Sequence, residues 1–576
     1  MLVSLAPGAG HAQTTPAVTL KVNLAQDSTL SGEQNFRVLV TTDEVVTKVE
    51  MYVGTERRSE AQSTPYRFTL DTINEKDGPL DIKWVAYTDQ GHKGTLTVHS
   101  KVDNGLSLGA DAHVQTGSKA LQDGKFQPAI DQGRVALKID KKFAPARFLL
   151  ARAYAGQGAF DKAQKYVQDV VDDDPANVEA LNVASAISVR QAFTIIGQGG
   201  QNMDTLATIG TAFKTAVDSR RKYVDAKFDA APKDAASVIA YADAAVTALR
   251  FSDAINALEP VFKSAPAKAD LADRLAYCQM RTGRYMDAID TLDRLRRVGA
   301  NSSDAYAQAL MALVQDRIGN KDNSDSVMSD AELNDAFNVG VETAQASIAL
   351  RRNKTSTSQS IANGLMRDQG QRTEVNYLLA ALANRSVNYQ QERHFFELAV
   401  LTEPLNYDMY VEEANSAISL VAAFVKKEDK DFQYAYAELM CNTALKAKND
   451  SFQALTGLAL VNGLQGKAAD AFKFAQAASQ AQPNSAGAQF ALSACSSLYA
   501  RAIRPKGLPG EDAQSKAAYA SAIKQANDLD RISVDANSAA AKIDPNYAGG
   551  RAVPTITEAF EYFSKYGRSP VISKPA

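Results

Sequence analysis

The chain has 576 residues, of which 45% are hydrophobic and 22% are charged, and its formal net charge is −3. This composition is typical of a well-packed protein, and the near balance of charge excludes both the basic excess on which most nucleic-acid binding depends and a polybasic surface for anionic lipids. Because one hydrophobic core rarely organises so long a chain, we expect several domains or a repeat array.

The first twelve residues are mostly apolar and small, and they end in Gly10-His11-Ala12. A short apolar run followed by small residues is typical of the second half of a secretory signal peptide. The positively charged segment that normally opens such a signal is missing, so we interpret residues 1–12 as a truncated signal-peptide remnant. This interpretation predicts an exported protein, either periplasmic or at the cell surface.

Residues 13–104 carry a period-two pattern in which apolar residues alternate with mainly polar neighbours. Such alternation marks strands with one buried face, and turn-forming residues separate the runs. We therefore expect a small all-β sandwich with Trp84, the only tryptophan, in its core. The alternating runs are Val18-Leu20-Val22, Phe36-Val38-Val40, Val49-Met51-Val53, Tyr66-Phe68-Leu70 and Ile82-Trp84-Ala86.

Part of this region resembles the immunoglobulin-like modules of bacterial cell-surface and secreted proteins. The resemblance lies in the run VTKVEMYV (residues 46–53), in PYRF (65–68) with the following Asp71-Thr72, and in AYTDQG (86–91). It implies an immunoglobulin-like sandwich, and such modules serve as spacers, adhesins or carbohydrate binders. Because a fold does not specify a function, we assign no site to this domain.

From residue 105 the hydrophobic period becomes helical, alanine is abundant, and the sequence repeats itself. The segment that begins at Gly124 aligns with the one at Gly158, and the segment at Arg250 aligns with the one at Arg284, each with an offset of 34 residues. A helix–turn–helix period of this length is that of tetratricopeptide repeats.

The residues of these copies also resemble the tetratricopeptide-repeat family. Small residues stand where paired helices cross, as at Ala151 and Ala163, and Pro175 follows a second helix. Gly133 departs from the pattern, because it occupies a position that is usually large and apolar. The resemblance implies a long all-α solenoid over residues 105–550 with irregular repeats, about nine or ten helix pairs. A C-terminal helix and a frayed tail are expected over residues 551–576.

Catalytic and metal-binding motifs are missing from the sequence. It contains neither the HExxH pattern of zinc proteases nor the GxSxG turn of serine hydrolases. Its three cysteines lie in helical stretches without a second ligand at metal-binding spacing. We therefore predict a protein that is not an enzyme and that has no cofactor or metal site.

In tetratricopeptide arrays the first helix of each pair lines the concave face of the solenoid. The resemblance places residues there that are candidates for binding a partner: Phe148, Arg152, Asp243, Asp273, Tyr277 and Arg281. Arg152, Tyr277 and Arg281 suit a peptide carboxylate or an acidic segment, because the arginine side chain offers a planar fork of donors.

Taken together, these features predict an exported, non-catalytic scaffold that binds protein or peptide partners through the concave groove of a tetratricopeptide-like solenoid. The immunoglobulin-like domain would act as a spacer or an anchor, and no membrane-spanning segment is expected. Two alternatives stay open. One is a surface protein that binds carbohydrate or cell-wall polysaccharide through the β domain, and the other is a glycan hydrolase or lyase built on the α-helical array.

Overall fold

The computed structural model describes residues 18–198, 202–298, 303–544 and 554–575. The chain divides into two compact units, Met1–Pro175 and Ala176–Ala576. The signal-like residues 1–12 lie outside the described residues, as do residues 545–553. No helix among those described is both long enough and apolar enough to cross a membrane.

The first unit begins with two β-sheets. The strands within its described residues are Thr19–Val22 (β1), Ser28–Leu30 (β2), Glu33–Thr41 (β3), Val46–Val53 (β4), Glu56–Ala61 (β5), Tyr66–Asp71 (β6), Gly78–Thr88 (β7) and Lys93–Val102 (β8). The order is β1-β3-β6 in one sheet and β2-β8-β7-β4-β5 in the other. Strand β2 pairs parallel to β8, and the other pairs are antiparallel.

The core of this β region lies between the two sheets. Phe36 of β3 meets Trp84 of β7 edge to face, with ring centroids 5.4 Å apart, and Trp84 is completely buried. Every alternating run of the sequence places its apolar side chains on the inner faces, as Val38, Met51 and Ile82 do. The predicted β-sandwich and the core position of Trp84 are confirmed.

Four helices complete the first unit as two pairs: Ala110–Gln122 (α1) with Phe126–Ile139 (α2), and Ala144–Gly156 (α3) with Phe160–Asp173 (α4). The unusual Gly133 lies where α2 crosses α3. A Cβ at this position would lie 2.7 Å from Cγ of Leu150. Glycine therefore permits a close approach of the two helices that a larger residue would prevent.

Side chains of α2 attach the helices of the first unit to its β region. Nζ of Lys138 donates hydrogen bonds to the carbonyl oxygens of Ile73 and Glu75, each at 2.6 Å, and Arg134 pairs with Asp71. The predicted boundary at residues 104 and 105 marks the change from strand to helix. The compact unit nevertheless continues to Pro175, because these contacts join the sandwich to the first two helix pairs.

The second unit is built mainly from α-helices. Within its described residues they are Val178–Gly197 (α5), Met203–Asp229 (α6), Val238–Thr247 (α7), Phe251–Ser264 (α8), Ala269–Arg281 (α9), Tyr285–Arg297 (α10), Ala305–Arg317 (α11), Lys321–Asp335 (α12), Val339–Arg351 (α13), Thr355–Gln369 (α14), Thr373–Arg385 (α15), Tyr389–Thr402 (α16), Tyr407–Leu420 (α17), Lys427–Ala447 (α18), Phe452–Leu464 (α19), Ala468–Ala481 (α20), Ala486–Ile503 (α21), Ala513–Ile543 (α22) and Ile556–Tyr566 (α23).

These helices stack in pairs as in a tetratricopeptide-like solenoid, which confirms the predicted fold class. Over the described chain, α1 to α22 form eleven pairs, one more than the upper number predicted. The first helices of the middle pairs are covered on every side: all residues from Leu271 to Met280 of α9 and from Tyr407 to Ile418 of α17 are buried. A helix that packs against a core on one side buries only one stripe of its side chains, so these helices differ from surface helices.

Two observations explain why the first helices are covered so completely. First, α5 and α6 pack against α16 and α18, so that a turn of the superhelix closes on itself within the second unit. Phe193 and Phe213 meet Phe396 and Tyr410 there, with ring centroids 5.2–6.2 Å apart. Second, residues 568–573 enter the space that the first helices enclose.

Candidate functional site

The six residues predicted to bind a partner lie in different surroundings. Phe148 and Arg152 lie on α3 of the first unit, where Phe148 is buried and Arg152 is exposed. Asp243 on α7 is exposed, but both its oxygens accept hydrogen bonds from the buried Arg274, at 2.8 and 3.1 Å. The structure therefore does not bring all six residues into one groove.

The other three predicted residues lie on α9, and only one of them presents a charge to the interior of the second unit. Asp273 and Tyr277 are buried. Burial, and then the nearby Asp304, raise the pKa of Asp273 to about 8, so that its carboxyl is mainly protonated at neutral pH. Arg281, at the end of α9, is the predicted residue that reaches the interior.

Arg281 meets the opposite wall of the superhelix. Its guanidinium donates to the hydroxyl of Tyr407 and, at 3.0 Å, to a carboxylate oxygen of Asp408, and it stacks over the rings of Phe251 and Tyr407. Asp408 follows Arg281 by 127 residues. The first helices α9 and α17 therefore face each other across a narrow interior, and the charge of Arg281 is neutralised by a partner within the chain.

Arg281 belongs to a row of arginines that the sequence analysis did not identify. Arg281, Arg317, Arg351 and Arg385 end the first helices α9, α11, α13 and α15, at intervals of 36, 34 and 34 residues. Cations are favoured at helix C-termini, where backbone carbonyls lack partners. This recurrence at the repeat period is visible in the sequence and could have identified the interior face.

Two of these arginines bind the end of helix α23. Arg317 donates to the carbonyl oxygen of Tyr566 at 3.2 Å, and Arg385 donates to the carbonyl oxygen of Lys565 at 2.7 Å. The arginines thus satisfy carbonyls that the last turn of a helix leaves free. They fix the point at which the chain leaves α23.

Beyond α23 the chain is extended and buried. The guanidinium of Arg568 donates to both carboxylate oxygens of Glu412 on α17, at 2.7 and 2.5 Å, and Glu412 is only 1% exposed. The hydroxyl of Ser569 donates to Asp408 at 2.8 Å, so that Asp408 joins Arg281 to the tail. The ion pair of Arg568 with Glu412 and the hydroxyl of Ser569 therefore anchor the start of the extended segment.

Polar side chains of first helices bind the main chain of the next residues. The amide of Val571 donates to Oγ of Ser347 at 3.1 Å, and the amide of Ser573 donates to Oγ1 of Thr343 at 3.0 Å. The hydroxyl of Tyr306 on α11 donates to the carbonyl oxygen of Ser573 at 2.9 Å. Ile572, between these contacts, is 2% exposed.

The prediction of a frayed tail is therefore wrong. Residues 569–573 are buried, apart from the partly buried Pro570. The hydroxyl of Ser569 finds a partner on α17, the amides of Val571 and Ser573 find partners on α13, and the carbonyl of Ser573 finds one on α11. Proline also favours this conformation, because Pro570 restricts Ser569 to extended backbone angles. The sequence of this short segment has no helical periodicity, and it gives no sign of these contacts because the contacting helices lie far away along the chain.

Beside the tail, part of the interior is open. A cavity of about 300 Å³ is lined by residues of α9, α15, α17 and the tail, among them Tyr277, Arg281, Glu374, Tyr407 and Ile572. Glu403, another lining residue, pairs with Lys574 of the tail at 3.4 Å. No ion pair of Glu374 is found within the described residues. Although burial opposes the shift, the negative charge of this carboxylate, after the effects of Glu403 and Tyr277, contributes to the raised pKa of Lys574 in the tail.

Other reactive groups lie away from this interior or are inaccessible. The three cysteines are buried free thiols, and burial raises the pKa of each. Within the described ranges, no group of three histidine, cysteine, aspartate or glutamate side chains is arranged to bind a metal ion. The groove, with its bound segment and open cavity, is the candidate functional site.

The chain is similar to a repeat-family profile and, at low identity, to solved structures. The tetratricopeptide-repeat family profile matches residues 120–187 and 245–314. Among solved structures, the Cut9–Hcn1 hetero-tetramer of the APC/C matches with 13% identity and a TM-score of 0.37, over 78% of this chain and 96% of that one. Yeast Tom70 matches with 13% identity and a TM-score of 0.29, over 73% and 95%. No curated protein sequence matches the chain significantly.

Proposed function

We propose that this chain, a tetratricopeptide-repeat-like solenoid preceded by a β domain, is a non-catalytic scaffold that binds an extended segment of a partner protein. The binding site is the interior of the second unit. The observation that carries the proposal is the segment Arg568–Lys574, which lies extended in that interior and is held by side chains of α11, α13 and α17.

The chemistry of these contacts supports peptide binding. An extended backbone has an unpaired amide and carbonyl at each residue, and a dry groove is favourable for it only if those groups find partners. Ser347, Thr343 and Tyr306 supply such partners at 2.9–3.1 Å. Because they bind main-chain atoms, a peptide of different sequence can use the same contacts, while side-chain pockets set its specificity.

The remaining parts of the protein are proposed to support this scaffold. The β domain acts as an anchor, and the bonds from Lys138 and Arg134 to the β region would hold it firmly to the first repeats. The resemblance of residues 46–91 to modules of exported proteins supports export.

The proposal is tested with the full-length chain and a library of ten-residue peptides, with affinities measured by fluorescence anisotropy. Glu374→Lys reverses a negative charge that lines the cavity. Glu397→Lys is the matched control, because Glu397 is also partly buried but does not line the cavity. Compared with the wild-type chain, Glu374→Lys should change the affinity for selected peptides at least tenfold in either direction. Glu397→Lys should bind the same peptides with the affinity of the wild-type chain. A library without ligands, or ligands indifferent to both substitutions, would refute the proposal.

A further inference from the structure

We propose that the groove of the second unit recognises an extended basic segment, and that the chain's own C-terminal residues Arg568–Lys574 are its resting occupant and the template for its partner. This inference rests on the proposed function and specifies the partner that the site takes. The partner would carry an arginine followed, after a small polar residue and a proline, by two aliphatic residues, as in Arg568-Ser569-Pro570-Val571-Ile572.

The charges along the groove favour a basic occupant. Each cation of the tail meets an acid: Arg568 meets Glu412, and Lys574 meets Glu403. Arg281, Arg317 and Arg385 face the same interior, but Asp408 already neutralises Arg281, and the other two are bound to carbonyl oxygens at the end of α23. The sequence suggested an acidic partner for Arg281, and within the chain Asp408 already supplies the acid that pairs with it.

A second set of carboxylates makes the position of Arg568 specific. Behind Glu412 lie the buried Glu413, which accepts a hydrogen bond from the hydroxyl of Tyr436 at 2.9 Å, and Glu392, which accepts one from Ser416 at 3.2 Å. Burial raises the pKa of Glu392 well above its usual range, and Glu413 raises it further. A cation at the Arg568 position therefore stands at the edge of a buried acidic cluster, and an acidic residue there would leave the buried Glu412 without its cation.

The apolar part of the tail supplies a second requirement. Val571 and Ile572 are 9% and 2% exposed, although they belong to no helix or strand. They also form part of the wall of the open cavity, beside Tyr277 and Tyr377. A partner segment with polar residues at these positions would bury unpaired polar groups, and the groove therefore selects an aliphatic pair at a fixed distance from the arginine.

An occupied groove implies competition. A partner with the same pattern binds only when the tail leaves, so its apparent affinity equals its intrinsic affinity multiplied by the fraction of chains in which the tail has left the groove. Weakening the tail without changing the groove should therefore strengthen the binding of an added peptide.

The experiment uses the full chain and a fluorescent peptide with the tail sequence YGRSPVISKPA (residues 566–576). Arg568→Glu removes the ion pair that anchors the tail. Lys565→Glu makes the same charge change three residues earlier, at an exposed side chain. The Arg568→Glu chain should bind the peptide at least tenfold more tightly than the wild-type and Lys565→Glu chains. A peptide with glutamate in place of its arginine should bind at least tenfold more weakly.

Equal binding of the peptide by all three chains would overturn the inference. So would the absence of binding by Arg568→Glu when hydrogen exchange shows that its tail amides are released. If Arg568→Glu does not fold, Arg568→Lys keeps the charge but loses the planar fork, and it should give a smaller increase of the same sign. Library ligands that bind the groove without this basic pattern would refute the inference and leave the proposed function standing.

Discussion

The ion pair between Arg568 and Glu412 gives a quantitative prediction about the tail. Both oxygens of Glu412 accept hydrogen bonds from one guanidinium, and the side chains are 8% and 1% exposed. Arg568→Met leaves a buried carboxylate without its cation, which costs about 3–5 kcal/mol. Since about 1.4 kcal/mol corresponds to a factor of ten, the open state of the tail should become more populated by about 100- to 4000-fold.

Hydrogen exchange of the full-length protein, read by mass spectrometry, measures this change at the amides of Val571 and Ser573. The double variant Arg568→Met with Glu412→Met replaces the pair by apolar side chains of similar size, which is often nearly neutral. It should therefore recover most of the protection that Arg568→Met alone loses. Exchange as fast in the double variant as in the single one would refute the view that the pair anchors the tail.

Three further predictions concern the packing of each unit. The pKa of Asp273 is about 8 in the folded protein, against about 3.9 in an unfolded chain, so the folded state holds a proton that the unfolded state releases; the free energy of unfolding should fall as pH rises from about 4 to 8. Asp273→Asn should remove this loss of stability, which is about 3–5 kcal/mol at pH 8. Thermal unfolding of both proteins measures it, and a midpoint raised equally at pH 4 and pH 8 would contradict the raised pKa of Asp273. Gly133→Ala places a Cβ 2.7 Å from Leu150 and should cost about 1–3 kcal/mol in urea denaturation, whereas Gly364→Ala on α14, with nothing within 4 Å, should be neutral or stabilising. Phe213→Ala leaves a cavity at a fully buried aromatic side chain and should lower the free energy of unfolding by about 3–5 kcal/mol. Amide hydrogen exchange should become faster in α16 and α17, whose rings contact Phe213. A loss below about 1 kcal/mol would refute the closure of the superhelix at this point.

The local architecture could be predicted from the sequence because it depends on local periodicity. Period-two runs marked β1, β3, β4, β6 and β7, and the 34-residue offset marked the helix pairs. Strand β5, with the sequence ERRSEA, was missed because it is an edge strand. Such strands carry charge that protects an exposed edge, and this removes the alternation by which strands are recognised.

The candidate site could be predicted only in part. The repeat register predicts that Arg281 faces the concave side, but it could not show that Asp408, 127 residues later, neutralises that charge. Asp273 and Tyr277 are buried because the closed superhelix covers every face of α9, and closure depends on contacts between distant repeats. The tail was missed for the same reason, since its partners on α11, α13 and α17 lie more than 100 residues away.

The central claim is that the first helices of the second unit bind an extended segment. Photo-crosslinking tests it most directly, with the tail peptide carrying a photoreactive residue at the position of Ile572 and with the Arg568→Glu chain as its receptor. Mass spectrometry should place the crosslinks on α9, α15 and the start of α17, which line the cavity beside Ile572. Crosslinks on the second helices α10, α12 and α14, or on the first unit, would contradict the account.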